Sequence, residues 1–114
     1  MIRYVNTVVS NAEFSDMLSA LQTYIKLAVD VRLSVLAGGG EMHADCEELL
    51  LEKGSLQEDI WGADWYPESK SVGFESFINI RPSQNNRSME LQDESLRAKL
   101  DAIVRTFLDA HINA

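Results

Sequence analysis

Residues 25–40, IKLAVDVRLSVLAGGG, decide the fold. Ile25, Leu27, Val29, Val31, Leu33, Val35 and Ala37 recur with period two, which puts side chains on one side of an extended backbone. A single strand from Ile25 to Ala37 would be longer than globular strands usually are. The stretch therefore predicts two strands joined by a hairpin or sharp bend near Asp30–Ser34, although no Gly, Pro or Asn marks the turn. Gly38-Gly39-Gly40 then frees the backbone from side-chain constraint.

Outward from this stretch the periodicity changes. Residues 2–9 (IRYVNTVV) are rich in β-branched side chains and read as a short first strand. Ser10 followed by Glu13 is a capping box, and Val9 is placed to staple onto Phe14. Phe14, Met17, Leu18 and Leu21 then fall on one face of an amphipathic helix. On the other side, residues 45–53 read as a short helix with Asp45 as N-cap, Cys46, Leu49 and Leu50 on its apolar face, and Gly54 at C′. QEDIWGADWYP reads as a strand stopped by Pro67, ESKSVG as a polar loop, and FESFINIR as a further strand stopped by Pro82, together a hairpin. Asp93 caps a last helix whose Leu96, Leu100, Ile103, Val104, Phe107 and Leu108 repeat at helical spacing. The expected class is α+β: a small, mostly antiparallel sheet of four to five strands, two longer helices packed on one face, and one short helix.

The 114 residues suit one compact domain, 1–114, with a core that needs neither metal nor disulfides. Eighteen acidic and ten basic residues leave a net charge of −8. That balance argues against broad binding to nucleic acid or to anionic membranes. A single cysteine, Cys46, excludes an internal disulfide and fits a reducing compartment. There is no signal-peptide pattern at Met1-Ile2-Arg3-Tyr4 and no apolar run long enough to span a bilayer, so the expected location is cytoplasmic.

Two segments gather polar chemistry. In Glu41-Met42-His43-Ala44-Asp45, an extended chain would project Glu41, His43 and Asp45 to one side, where they could meet a metal or position a general base, with His43 as the base and Asp45 as its orienter. The competing account makes Asp45 a helix cap and His43 the partner of a loop carbonyl. A metal is not expected, since one His and no Cys pair stand at ligand spacing. In Ile80 to Ser88, Arg81 and Arg87 offer planar forks for an anion, with Asn85, Asn86 and Ser88 to orient it. Asn85 and Asn86 tolerate a left-handed backbone, so the loop can curl on itself. The competing account is a loop that caps its own turns. Gln57 and Trp61 lie between the segments, placed to line a pocket, while tryptophans such as Trp61 and Trp65 more often serve a core or a subunit interface. His111 is assigned no role. There is no P-loop, GxGxxG, GxSxG, CxxC or HExxH, and no cofactor is implied.

GGGEMHAD, GSLQEDIWGADWYP and INIRPSQNNRS together resemble a family of short bacterial domains of unknown function. The resemblance rests on Gly39 to Asp45, Gly54-Ser55, Gln57, Trp61-Gly62, Tyr66-Pro67 and Ile78 to Ser88. Met42 stands where that pattern has leucine, and Asn85 where it has glycine. It implies relatedness and carries no activity and no catalytic residues.

Three functions follow. The first is a small-molecule site, binding or hydrolytic, for an anionic or amide-bearing ligand where the two segments converge. The second is a non-enzymatic interaction module or homodimer in which the same residues form a structural network. The third, a small toxin-like ribonuclease using His43 and Arg87, ranks last for want of a basic groove.

Overall fold

A computed structural model of the chain describes residues 1–110; His111 lies outside the described residues. Its centre is the hairpin of residues 25–40. Strands β2 (Ile25–Asp30) and β3 (Val35–Gly40) pair antiparallel, joined by a four-residue turn. Asp30 supplies the turn signal that Gly, Pro or Asn would otherwise give. Its buried carboxylate accepts from the backbone N–H groups of Arg32 and Leu33, both at 2.9 Å, and from the hydroxyl of Ser55 at 2.6 Å. Ser34 takes the left-handed conformation that completes the reversal, at φ 56°.

The turn also corrects the period-two reading. Asp30 pairs with Val35 and Val29 with Leu36, so residues of opposite parity share a face across the hairpin. Ile25, Leu27, Val29 and Leu36 enter one core, whereas Ala28, Val35 and Ala37 enter the other. The alternation is correct within each strand and does not run through the bend.

The sheet has five antiparallel strands in the order β1-β3-β2-β4-β5, completed by β1 (Arg3–Val5), β4 (Ile60–Tyr66) and β5 (Ser71–Gly73). The α+β class with a small antiparallel sheet is therefore the observed one. Helix α1 (Asn11–Leu18) opens with the expected capping box, Ser10 Oγ accepting from Glu13 N at 3.1 Å and Glu13 accepting from Ser10 N at 2.8 Å. Helix α3 (Glu94–Leu108) is capped by Asp93. Phe14 and Met17 of α1 and Leu100, Val104, Phe107 and Leu108 of α3 bury against the Ile25-Leu27-Val29 face. The opposite face is covered by α2 (His43–Glu52), through Cys46 and Leu50.

Gly39 explains the glycine triplet. The register shifts between Lys26 and Leu27, which pair with Gly40 and Gly38, leaving Gly39 as the extra residue of a bulge at φ 100°. A side chain there would sit 2.8 Å from the Met1 carbonyl oxygen and 2.9 Å from Met17 Cα. The triplet thus lies inside a strand and lets α1 approach the sheet.

Two further expectations change. The helix after the triplet starts at His43, not Asp45; its N-cap is Met42, which makes no side-chain cap bond, and Gly54 follows with φ 100° as a C′ glycine should. Residues 74–81 do not form a strand. Glu75 makes an isolated bridge with Glu90, Phe77–Asn79 turn into a 3-10 helix capped by Ser76, and Arg81 bridges Asn86. The strand β4 instead finds its hairpin partner in β5, inside the stretch read as a loop.

Candidate functional site

Lys26 and Asp64 are register partners across β2 and β4, so they face the same side of the sheet. That side is the one α2 covers, and the helix begins just there. Its first residue, His43, points Nε2 at Asp64 Oδ1 (2.8 Å) and at the carbonyl oxygen of Ala63 (3.2 Å). A carbonyl can only accept, so Nε2 carries the proton and, in the neutral imidazole, Nδ1 is the basic nitrogen. Nδ1 makes no bond to the protein among the described residues. The two side chains are 11% and 8% exposed, which removes the pair from bulk solvent without sealing it.

This pair lines a cleft of about 440 Å³, a volume in the range of small-molecule sites. Tyr24 and Tyr66 stack at 5.2 Å and form one wall. Gly73, Ser76 and Phe77, from β5 and the 3-10 turn behind it, form another. Burial, and after it the nearby Asp64, Tyr24 and Glu75, raise the Tyr66 hydroxyl above its ordinary pKa.

A second cleft, about 470 Å³, lies beside the 3-10 turn and is lined by Glu47, Gln57, Phe77, Ile80, Arg81 and Gln84, among others. Arg81 donates Nε to the Ile78 carbonyl, Nη1 to the Gln57 carbonyl and Gln84 Oε1, and Nη2 to the Ile60 carbonyl and Glu47 Oε2. Every N–H of the guanidinium is thereby committed to the chain itself. Its face also packs on Trp61, 4.5 Å from the ring centre. Burial lowers its pKa, and Glu47 opposes that shift.

A family model described as a protein of unknown function, DUF5674, matches residues 3–107. The chain belongs to that family. No curated protein and no solved structure matches it. What this DUF5674 chain can do is therefore read from its own geometry.

The two polar segments do not share one cleft: Arg81 reaches α2 at Glu47 (3.4 Å), two residues past the Glu41–Asp45 segment. His43 lines the first cleft; Arg81 and Gln57 line the second; Phe77 borders both. Asp45 is exposed, and two positions along a helix from His43 it lies on a different face, so the carboxylate that orients the imidazole is Asp64. Trp61 is buried in the larger core with Trp65. Asn85 takes the expected left-handed conformation (φ 60°). Asn86 is buried, donating to the carbonyls of Asn79, Ser88 and Glu90 and accepting from Gln92 N. Ser88 Oγ accepts from Glu90 N at 3.0 Å, closing a local turn. Arg87 is exposed and makes no hydrogen bond or ion pair among the described residues.

Sequence reasoning missed Asp64, Lys26, Tyr24 and Tyr66. One signal was present for Asp64, an acid inside the otherwise apolar IWGADWY. A charge in a strand that is buried on both faces has to be paired. The others become visible only once the β2–β4 register is known.

Proposed function

We propose that this DUF5674 chain binds a small polar molecule in the cleft at the start of α2, with His43 as the group that moves a proton. The observation that supports this is the 2.8 Å His43–Asp64 contact on the wall of a 440 Å³ cleft with aromatic sides. Asp64 fixes the ring and holds the proton on Nε2, leaving Nδ1 as a base that can take a proton from a bound hydroxyl or from water. A ligand that carries hydrogen-bond donors, an amide or another polar group, suits such a site, since Asp64 and His43 Nδ1 can accept them. An anion finds less there: Arg81 is fully bonded internally, and Arg87 is not among the residues lining either cleft.

Amide-resolved NMR during a fragment screen tests this reading. Bound fragments should shift Gly73, Ser76 and His43 together, and His43→Ala should abolish the shifts while the chain stays folded. Fragments that bind only elsewhere, or a His43→Ala protein that binds as well as the parent, would sink it.

For the 81–88 loop a specific observation favours the other reading, a structural network. Arg81 is fully bonded, to three backbone carbonyls and to the side chains of Gln84 and Glu47, and Asn86 is bonded to backbone groups between Asn79 and Gln92. The loop's place in the fold is to brace the wall that carries Ser76 and Phe77.

A further inference from the structure

Resting on that reading of the cleft, we infer that its ligand is a small organic cation, a protonated amine that docks on Asp64. The Asp64 side chain is only 8% exposed, and its two oxygens are used unequally. Oδ1 is bonded to His43, whereas Oδ2 has no hydrogen-bond partner among the described residues. Oδ2 still touches solvent at the cleft. It lies toward Gly73, where a Cβ would come within 3.5 Å of it and within 3.0 Å of Tyr66 Cε2. The missing side chain at Gly73 keeps that oxygen reachable. A nearly buried carboxylate oxygen with an open approach is a site for a donor, and a charged donor suits it best.

The surroundings agree on the sign of the charge. Glu75 and Glu90 bring two more carboxylates to the lining. The one lysine in the lining, Lys26, already donates its ammonium to the Glu41 carbonyl at 3.1 Å. Arg97 lies 3.8 Å from Glu90 with its guanidinium over the Phe74 ring. The stacked Tyr24 and Tyr66 rings and Phe77, which is 75% exposed, offer π faces that attract a cation. An anion would meet three carboxylates, and an apolar guest would leave Oδ2 without a donor.

The test compares three probes of one shape at pH 7 by amide-resolved NMR titration: phenethylamine, phenylacetamide and phenylacetate. The amine should shift Gly73, Asp64 and Ser76 saturably and bind about tenfold more tightly than the other two, the size expected of one charge-assisted hydrogen bond. Asp64→Asn should remove that preference, and Glu75→Gln, an exposed change that leaves the fold alone, should weaken the amine several-fold. If the amide or the carboxylate binds the cleft as well as the amine, the cation assignment is overturned and the small-molecule reading stands. If no probe shifts these residues, both fall. Should Asp64→Asn fail to fold, Glu75→Gln decides alone, and an unchanged amine affinity in it overturns the assignment.

Discussion

Asn79 pairs with Gly62 as a neighbouring strand would. Its Oδ1 accepts from Gly62 N at 2.8 Å and its Nδ2 donates to Gly62 O at 3.1 Å. Strand β5 reaches along β4 only as far as Asp64, so the edge beyond it would otherwise be buried and unpaired. The same Nδ2 donates to the Phe74 carbonyl at 3.2 Å and ties the wall of the first cleft to the sheet. Asn79→Ala should therefore cost roughly 2–4 kcal/mol in urea unfolding, the scale of two or three buried backbone groups left without partners. A loss below about 0.5 kcal/mol would show that the side chain is not acting as a strand substitute.

Arg81 gives a second prediction, one that separates bracing from binding. Lysine keeps the charge but has three donors on a single nitrogen, and it cannot reach the carbonyls of Ile78, Gln57 and Ile60 at once. Arg81→Lys should lower stability by about 2–4 kcal/mol. Its phenethylamine affinity, measured well below the melting temperature, should match the parent's. A folded variant with selectively lost affinity would instead place Arg81 at the ligand.

Cys46 supplies the pH prediction. Burial pushes its thiol from an ordinary 9.0 up to about 11. Between those values the unfolded chain holds fewer protons than the native one, so stability falls as pH rises from about 9 toward 11 and is unaffected by this group below that window. Cys46→Ala should flatten that part of the stability profile. In the native protein at pH 8, iodoacetamide should label Cys46 far more slowly than in urea, because the thiolate is scarce and buried. Equal rates would contradict its position on the buried face of α2.

How much of this was legible depends on the range of the interaction. The Ser10–Glu13 box, the Asp93 cap, the Gly54 terminus and the amphipathic face of α3 are set within a few residues, and each is found where the spacing places it. The bend in residues 25–40 was also legible, from strand length alone. Its cause is only partly local: Asp30 closes the turn on Arg32 N and Leu33 N, but what stabilises its buried carboxylate further is Ser55, twenty-five positions away.

FINIR misled for a related reason. Its alternation looks like a strand, but Phe77 and Ile80 are exposed and Asn79 turns inward to Gly62. An asparagine amid β-branched neighbours was the hint, since a buried amide needs partners that a strand of that pattern does not provide. The site shows the same limit. His43 stood out by residue type, but its partner was sought at Asp45, two positions away, and found at Asp64, which only the sheet brings near.

The outer strands of the sheet, β1 and β5, are three residues each. A foreign strand adding to either would gain only a few ladder bonds before the chain bends away, so neither edge is much of a template for fibril growth or strand exchange. Backbone pairing between copies is therefore poorly served at both edges, which guards the described sheet against growing strand by strand.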